Sequence, residues 1–246
     1  DDWTWSAKTG VLLGIRYDYN SAHGSILTPR IAFKWKSAPA SVMRINLGTG
    51  FRVVNLFTED HQALSGARDV ILAESLRPET SYNANWNYLH KWSTTNAGTF
   101  IVEASTWLTY FTNRILPDYD TNPNAIIYKN LDGDMRMWGS GLQCDWISPF
   151  GITASVGCNI YRPNVRQEGR NFRPLFAESY SANWSIALTP RHSKWTIDYT
   201  GNLTGPMRLP LLSPLDPRRE FSLPFSIQNI QLTYRGWHHY EIYGGV

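Results

Sequence analysis

The chain has 246 residues, a mass of 28.1 kDa and a formal net charge of +3; aromatic residues make up 14% of it and charged residues 17%. Soluble domains average about 25% charged residues, so this composition favours a β-barrel with aromatic girdles over an ordinary soluble domain. The basic residues are scattered, which argues against nucleic-acid binding. The sequence has no apolar run of about 18 residues, so it predicts no transmembrane helix.

Segments that alternate apolar and polar residues recur along the whole chain, with the two-residue period of a β-strand. The first of eleven ends near Asn20, and the others lie near 27–35, 44–52, 80–88, 100–110, 138–146, 152–160, 180–188, 195–200, 230–234 and 240–242. Pro29, inside the second segment, predicts a bulge or a locally open edge because proline cannot donate to a ladder. No segment has a helical pattern.

The segment 80–88 shows the alternation most clearly. One of its faces is aromatic and the other carries three side-chain amides, from Asn83, Asn85 and Asn87. In a soluble sandwich the aromatic face would be the core, whereas in an outer-membrane barrel it would contact lipid and the amides would line a wet lumen. The pattern alone fits both folds.

The connections between segments favour the barrel. Short turns at 37–41, 93–98, 148–151, 190–193 and 235–239 alternate with long loops at 55–79, 113–130, 163–175 and 203–224. Outer-membrane barrels show this asymmetry, with short periplasmic turns and long extracellular loops. Tryptophans stand beside the short turns, as a girdle requires, at Trp35, Trp92, Trp146, Trp195 and Trp237. We therefore predict an all-β fold, an antiparallel transmembrane outer-membrane β-barrel.

The number of strands indicates a piece of a larger barrel. Eleven strands would leave the chain ends at opposite rims, whereas bacterial single-chain barrels have even strand numbers. The chain begins without a secretory signal and stops within a strand pattern, so we expect a processed protein or a fragment. Residues 1–246 are interpreted as one partial barrel domain.

The two cysteines, Cys144 and Cys158, fall on the apolar sides of neighbouring strands. Pairing around the turn near Pro149 places Cys144 opposite Ala154 or Val156, and a diagonal separation from Cys158 exceeds what a disulfide tolerates. We predict that both cysteines are free and face lipid.

Three stretches carry a family resemblance. One is Gly48-Thr49-Gly50-Phe51-Arg52, followed by Asn55-Leu56-Phe57 and Glu59; the next is Leu76-Arg77-Pro78-Glu79-Thr80-Ser81-Tyr82-Asn83. Together they resemble the mid-barrel signature of TonB-dependent outer-membrane receptors. The third, Asn113-Arg114-Ile115-Leu116-Pro117-Asp118-Tyr119-Asp120 with Asn122-Pro123, and the closing Tyr243-Gly244-Gly245-Val246, are similar to the Bacteroidetes branch of that family.

The resemblance implies a 22-stranded barrel plugged by an N-terminal domain, of which this chain would supply about eleven strands from the C-terminal half. The plug and the TonB box have no counterpart in the sequence. As partners it implies the TonB-ExbB-ExbD complex, acting through the missing plug, together with outer-membrane lipid, lipopolysaccharide and a surface lipoprotein. The implied location is the outer membrane of a Gram-negative bacterium.

The sequence contains no recognisable catalytic constellation. None of the six histidines lies in a nucleophile context, and the adjacent His238 and His239 would point to opposite faces of a strand. Asp132-Gly133-Asp134, and Asp118 with Asp120, offer oxygen ligands of the calcium type, but the loop of about twelve residues with a closing Glu is absent. Turn chemistry of Asp and Gly is the favoured interpretation. We predict no enzyme activity, no metal and no cofactor.

Candidate ligand contacts come from one strand end and two long loops. Arg52 occupies a lumen-facing position near the long-loop end, where its guanidinium could hold an anionic ligand group or brace the loop through Glu59. The loop 55–79 contacts ligand or simply faces solvent, and both interpretations stay open. The proposed contacts are Arg52, Asn55, Glu59, His61, Arg68, Arg114, Asp118 and Asp120.

Arginines are densest at Arg162, Arg166, Arg170 and Arg173. This patch would attract an anionic ligand or the phosphates of lipopolysaccharide.

The predicted function is TonB-dependent uptake of a specific ligand, with the family resemblance supplying the TonB dependence. A passive porin would show the same alternation. An outer-membrane enzyme is disfavoured because catalytic residues are missing, and a soluble β-sandwich adhesin would stay in the aqueous phase without detergent.

Overall fold

The structure is a computed structural model that describes residues 2–4, 6–55, 68–119, 121–122, 124–167, 169–191, 193–211, 216–237 and 240–246. All regular secondary structure in these ranges is β-strand. No helix in them is long and apolar enough to span a membrane. The prediction of an all-β, antiparallel architecture is confirmed.

Sixteen strands lie in the described part of the chain. They are β1 (Asp2–Thr4), β2 (Thr9–Asn20), β3 (Gly24–Ala38), β4 (Ser41–Arg52), β5 (Asp69–Leu72), β6 (Glu79–Thr94), β7 (Gly98–Asn113), β8 (Ile115–Asp118), β9 (Ala125–Asn130), β10 (Gly133–Ile147), β11 (Ile152–Gln167), β12 (Arg170–Phe172), β13 (Tyr180–Leu188), β14 (Trp195–Thr204), β15 (Phe225–Tyr234) and β16 (Ile242–Gly245).

Most of the described strands form one large antiparallel sheet. Its order is β1-β2-β3-β4-β6-β7-β10-β11-β13-β14-β15-β16, with β12 paired to β11. The predicted segments coincide with strands of this sheet, except that only Ile242 of the segment 240–242 lies in a strand, β16. The short strands β1, β5, β8, β9 and β12, of three to six residues, were not predicted, because so few residues hardly show a period.

The register gives the sheet one apolar and one polar face. Ile45 lies opposite Trp86, and the next pair on the other face is Asn46 opposite Asn85. On the apolar face large side chains are exposed, with Ile15 and Tyr19 each at 72%. An apolar surface of this extent is unfavourable in water, so it is the lipid-facing side of the barrel wall. We call it the outer face and the polar side the inner face.

Side-chain hydrogen bonds tie strands together on the inner face. Asn46 Nδ2 donates to Asn85 Oδ1 at 3.4 Å, and Asn87 Nδ2 donates to a carboxylate oxygen of Glu103 on β7. Further round, Ser155 Oγ donates to Asp145 Oδ1 at 2.7 Å. The amide face predicted from the sequence is therefore a network that crosses the strands.

Short turns at one end of the sheet depend on glycine. Gly98 and Gly151 adopt φ values of +87° and +86°, in the left-handed region that residues with a Cβ rarely adopt. A Cβ added at Gly98 would also lie only 2.1 Å from the carbonyl oxygen of Ile147. These turns are fixed both by backbone conformation and by space.

Pro29 marks an opening in the sheet, as predicted. The β3–β4 ladder stops at the pair Arg30 and Gly48, although both strands continue beyond it. An apolar cavity of about 1080 Å³ lies on the outer face at this point and includes Leu13 and Leu47 in its lining. The irregularity of register within the β3–β4 pair lies elsewhere, between Trp35 and Ala38.

The cysteine prediction also holds. Cys144 lies opposite Val156, Cys158 lies opposite Leu142, and both thiols are free and exposed on the outer face.

The long loops contain structure that the sequence did not predict. Strands β5, β9 and β8 form a separate three-stranded sheet, in which β5 pairs with β9 in parallel. Residues of the supposedly irregular loops 55–79 and 113–130 thus form what we call the cap sheet. Its side chains make a hydrophobic core of Ile115, Tyr119, Ile126 and Tyr128.

The cap sheet packs on the inner face of the barrel wall. Met135 on β10 lies opposite Phe111 on β7 and opposite Val165 on β11. Further along the same ladder, Gln143 and Gly157 lie on the same side of the sheet, so this side is the inner face. Met135 and Val165 are 2% and 0% exposed, and Phe111 and Leu116 of β8 pack on their cluster. Burying these side chains fastens the cap over the lumen at the long-loop end.

Candidate functional site

Strands β4 and β6 bring Arg52 and Glu79 together beneath the cap. The two residues are directly opposite in the ladder and share the inner face. Arg52 donates from Nε and from Nη2 to Glu79 Oε2, at 2.9 and 2.8 Å. The Arg52 side chain keeps 53% of its surface exposed while that of Glu79 keeps 6%, so the pair offers a guanidinium to the lumen.

The second oxygen of Glu79 fixes the cap. Its Oε1 accepts a hydrogen bond from the backbone N–H of Ile115, the first residue of β8, at 3.0 Å. A buried carboxylate is costly unless it is paired and hydrogen-bonded, and both conditions are met here. Glu79 therefore links the barrel wall, the cap and Arg52.

Arg114 brings a second guanidinium to the same place. Its Cζ lies 4.7 Å above the Phe111 ring, and its Nε is buried with no hydrogen-bond partner among the described residues. Burial lowers the pKa of Arg114, an effect that the charge of Glu79 opposes and that of Arg52 reinforces. These charge effects require Arg52, Glu79 and Arg114 to be neighbours.

A cavity of about 310 Å³ lies between these groups. Its lining consists of Gly50, Phe51, Arg52, Glu79, Ser81, Phe111 and Arg114. Among the described residues, two guanidinium groups and one carboxylate line the cavity, so its lining carries a net positive charge. Guanidinium groups can hold an anionic oxygen group by charge-assisted hydrogen bonds. In the described part of the chain no three His, Cys, Asp or Glu residues cluster in a way that would hold a metal ion.

Buried amides hold the cap end in place beside this cavity. Asn113 Nδ2 donates to the carbonyls of Arg77 and Pro78 at 3.2 and 2.9 Å. Asn130 Oδ1 accepts from the Arg77 N–H at 2.8 Å, and the Asn130 N–H donates to Glu74 Oε1 at 2.8 Å. The segment that precedes Glu79 is thereby fixed to both β7 and β9.

The other proposed ligand contacts are distributed over the cap and its approaches. Arg68 lies with Cζ 5.7 Å above the Tyr119 ring. Asp118 accepts from the Thr121 N–H and hydroxyl at 3.0 and 2.7 Å, as predicted for turn chemistry. Asn55 is exposed just after β4. Glu59, His61 and Asp120 lie outside the described residues.

Sequence reasoning missed the central carboxylate. It did not name Glu79 as a contact, and the structure pairs Glu79 with Arg52. The predicted contact between Arg52 and Glu59 stays a prediction, because Glu59 lies outside the described residues. The signal was available: once Asn46 and Asn85 are set opposite each other, the antiparallel register carries Arg52 to Glu79. Asn113, Asn130 and Phe111 gave no such signal, because their roles depend on the cap.

Comparison with known proteins points to one family. The model of the TonB dependent receptor-like β-barrel matches residues 1–157. The iron-regulated outer membrane virulence protein of Vibrio cholerae is 28% identical over 92 residues, which cover 37% of this chain and 14% of that protein. The chain therefore spans a small part of this relative.

Solved structures share the fold. The siderophore receptor PirA from Acinetobacter baumannii superposes with a TM-score of 0.73 at 11% identity, over 99% of this chain and 40% of that one. A mutant of the ferric enterobactin receptor from Pseudomonas aeruginosa, in complex with enterobactin, gives 0.71 at 13% identity, over 99% and 38%. The copper transporter OprC gives 0.70 at 12% identity, over 99% and 40%.

Proposed function

The chain belongs to the TonB-dependent receptor-like β-barrel family, and from that premise we propose that the complete protein takes up a specific ligand across the outer membrane in a TonB-dependent manner. The proposal rests most directly on the cavity between Arg52, Glu79 and Arg114, which lies on the inner face beneath the cap. A ligand that passes the cap from the long-loop side would meet this positive site at the top of the lumen.

The chemistry of the cavity favours an anionic ligand. Two guanidiniums and one carboxylate line the cavity among the described residues, and guanidinium N–H groups pair with carboxylate, catecholate or phosphate oxygens. The structural neighbours named above are a siderophore receptor, a ferric enterobactin receptor and a copper transporter. We therefore propose an anionic metal chelate as the ligand class, bound without any bond being made or broken, and no enzymatic role.

The proposed partners follow from the family. The TonB-ExbB-ExbD complex would act through a plug domain, and the outer face would contact outer-membrane lipid and lipopolysaccharide. A surface lipoprotein is a further proposed partner, and the Bacteroidetes affiliation stays a prediction.

Uptake of radiolabelled iron tests the site. Cells would receive ferric complexes of carboxylate and catecholate chelators, with Arg52→Ala and Arg114→Ala compared with the wild-type protein. Loss of one charge-assisted contact costs about 1.5 to 3 kcal/mol, so we expect apparent affinity to fall about tenfold or more. Arg191→Ala, at an exposed position beside a short turn, is the matched control. If a variant that carries both Arg52→Ala and Arg114→Ala kept wild-type affinity, the ligand would not bind in the lumen cavity.

A strain without TonB separates active from passive transport. We expect uptake to stop there at low ligand concentration. Uptake that continues and rises linearly with ligand concentration would instead support the porin-like channel.

A further inference from the structure

The barrel wall is open between β3 and β4 toward the long-loop end. Their ladder ends at the pair Arg30 and Gly48, although beyond it β3 stays paired with β2 to its first residue and β4 stays paired with β6 to its last. A Cβ added at Gly48 would lie 3.4 Å from the Pro29 carbonyl oxygen, whereas one added at Gly50 would have no atom of β3 within 4 Å. The two strands therefore separate within two residues of Gly48.

Pro29 explains why the ladder ends here. Proline has no N–H, and the N–H and C=O of a strand residue point toward the same neighbouring strand. The β2–β3 ladder continues past the pair Ile15 and Pro29, and the Pro29 carbonyl oxygen lies toward Gly48 on β4. The missing donor is therefore one that the β3–β4 ladder would use. Backbone polar groups left unpaired in the hydrocarbon region are costly, so an opening here is favoured where a ligand or water contacts its edges.

Three cavities adjoin one another through this opening. The apolar cavity of about 1080 Å³ on the outer face is called the outer cavity, and a second cavity of about 520 Å³ between the strands is called the gap cavity. Four residues line both of them: Gly14, Ile15, Arg30 and Thr49. The gap cavity in turn shares Gly50 and Phe51 with the lumen cavity between Arg52 and Arg114. The three cavities form a series from the lumen to the lipid-facing surface.

The chemistry of the lining changes along this series. Apolar side chains dominate the outer cavity, and Leu13, Leu47 and Tyr82 among them are exposed. The guanidiniums of Arg52 and Arg114 line the lumen cavity at the other end. Apolar surface favours hydrocarbon, and guanidiniums favour anionic oxygens. A molecule that fits the whole series has a hydrocarbon chain at one end and an anionic group at the other.

Polar groups without partners lie where the outer and gap cavities meet. Thr49 Oγ1 is buried and has no hydrogen-bond partner among the described residues. The Arg30 side chain lies over Gly14, where an added Cβ would be 2.6 Å from Arg30 Nε, and it makes no side-chain hydrogen bond or ion pair within the described ranges. A buried hydroxyl without a partner is costly. A ligand with an amide or ester at this point would supply partners to both residues.

We propose that the opening holds the hydrocarbon chain of an acylated anionic chelate, whose chelating head lies in the lumen cavity and whose chain passes Thr49 into the outer cavity. The chelating head follows from the proposed function, on which this inference rests. The chain follows from the apolar lining of the outer cavity. A linking amide or ester places polar atoms beside Thr49 Oγ1 and Arg30. The ligand class is thus an amphiphile rather than a fully water-soluble chelate.

A membrane phospholipid fits the series less well. The cations of the series lie on the inner side of the wall, since Arg30 is opposite Gly48 and shares the inner face with Arg52. The head group of a phospholipid stays at the membrane surface outside the barrel, so it would leave these guanidiniums without an anionic partner. A ligand bound from the lumen brings its anionic group to them directly.

Ferric chelates that share one head group test the role of the chain. An α-hydroxycarboxylate chelator would carry no chain, or an octyl, dodecyl or hexadecyl chain. Binding to the complete protein in phospholipid nanodiscs would be measured, with binding to empty nanodiscs subtracted. Burial of one CH₂ group strengthens binding about fourfold, so even a partly buried dodecyl chain should raise affinity about tenfold or more. Equal affinities throughout the series would overturn the inference.

A matched pair of substitutions tests the position of the chain. Thr49→Trp fills the junction of the outer and gap cavities. Val156→Trp is the control, because valine has nearly the shape of threonine and Val156 is 55% exposed on the outer face of β11. We expect Thr49→Trp to lose the gain from the chain and to bind the chainless chelate as wild type does, whereas Val156→Trp keeps both. A gain that survives in Thr49→Trp would place the chain elsewhere.

The wild-type protein gives an independent readout, which decides even if Thr49→Trp fails to insert. The dodecyl chelate would carry a diazirine at the end of its chain, and crosslinks would be located by mass spectrometry. We expect them at Leu13, Leu47 and Tyr82. Crosslinks confined to inner-face residues would contradict the inference. A diazirine phospholipid that labels the same three residues despite excess chelate would also contradict it, because a membrane lipid would then fill the outer cavity.

The same measurements separate this inference from the proposed function. If wild type binds the chainless chelate and gains nothing from a chain, the lumen site is retained and the opening holds no ligand. The variant that carries both Arg52→Ala and Arg114→Ala supplies the converse. If its chainless binding equals that of wild type and a chain still strengthens binding, the lumen site fails while the chain remains in the opening.

Discussion

The carboxylate of Glu79 holds Arg52 with one oxygen and the backbone N–H of Ile115 with the other. A single buried side chain, 5% exposed, thus joins strand β4, strand β6 and the first residue of β8 in the cap sheet. Any ligand that draws Arg52 away from Glu79 alters a group that also holds the cap. Ligand binding and cap stability are therefore coupled through this residue.

Replacement of Glu79 should separate its two roles. Glu79→Gln keeps an oxygen that can accept from the Ile115 N–H but loses the charge that pairs with Arg52, whereas Glu79→Ala loses both contacts. Because Arg52 is half exposed, we expect the lost ion pair to cost only about 1 kcal/mol, and the unpaired Ile115 N–H a further 1 to 3 kcal/mol. Hydrogen exchange at residues 115–118, followed by mass spectrometry, measures the second effect. Equal exchange in the two variants would contradict the proposed hydrogen bond.

Asn113 should be essential for the segment before β6. Asn113→Ala removes the donor to the Arg77 and Pro78 carbonyls, and the loss of these two part-buried hydrogen bonds should cost about 1 to 3 kcal/mol. Asn113→Asp should cost more, because it places a carboxylate against two carbonyl oxygens. Limited proteolysis between residues 68 and 79 reports the opening of the segment. Asn229→Ala, at an exposed position of β15, is the control and should leave cleavage at the wild-type rate.

Gly139 should tolerate no side chain. A Cβ built there would lie 2.3 Å from Cζ2 of Trp107, whose ring packs edge-on against Tyr161 at 5.9 Å. Overpacking of this kind costs about 1 to 3 kcal/mol, so Gly139→Ala should lower the thermal midpoint of barrel unfolding. Gly244→Ala is the matched control, since nothing lies within 4 Å of its added Cβ. An unchanged midpoint for Gly139→Ala would mean that the Trp107 ring moves freely.

The two faces of β13 should differ in their response to charge. Trp184 is on the outer face, over Gly201, and Asn183 is on the inner face opposite Asn202. An arginine in place of Trp184 should cost about 2 to 4 kcal/mol near the bilayer midplane, and one in place of Asn183 much less. Denaturant unfolding of the protein in lipid vesicles measures both. Equal costs would contradict the assignment of lipid and lumen faces.

The candidate site was only partly predictable. Arg52 was identified from its strand position, and Arg114 was named as a contact, but nothing in the sequence showed that the two share a cavity. Arg114 follows β7 while Arg52 ends β4, and they meet only because the cap folds inward onto Met135 and Val165. Short strands such as Ile115–Asp118 have too few residues to reveal a period, so the sequence predicted loops where the cap sheet lies.

Which side of each long strand faces lipid, and which end of the barrel carries the long loops, follow from the sequence alone. Alternation along a strand such as Glu79–Thr94 has an unambiguous period of two, and turn length is read directly from the chain. Which charges meet is settled only by tertiary structure, as with Arg52 and Glu79 beneath the cap. A strand's own pattern fixes the face of each residue but not its neighbour, because the neighbour depends on register and on how distant loops pack.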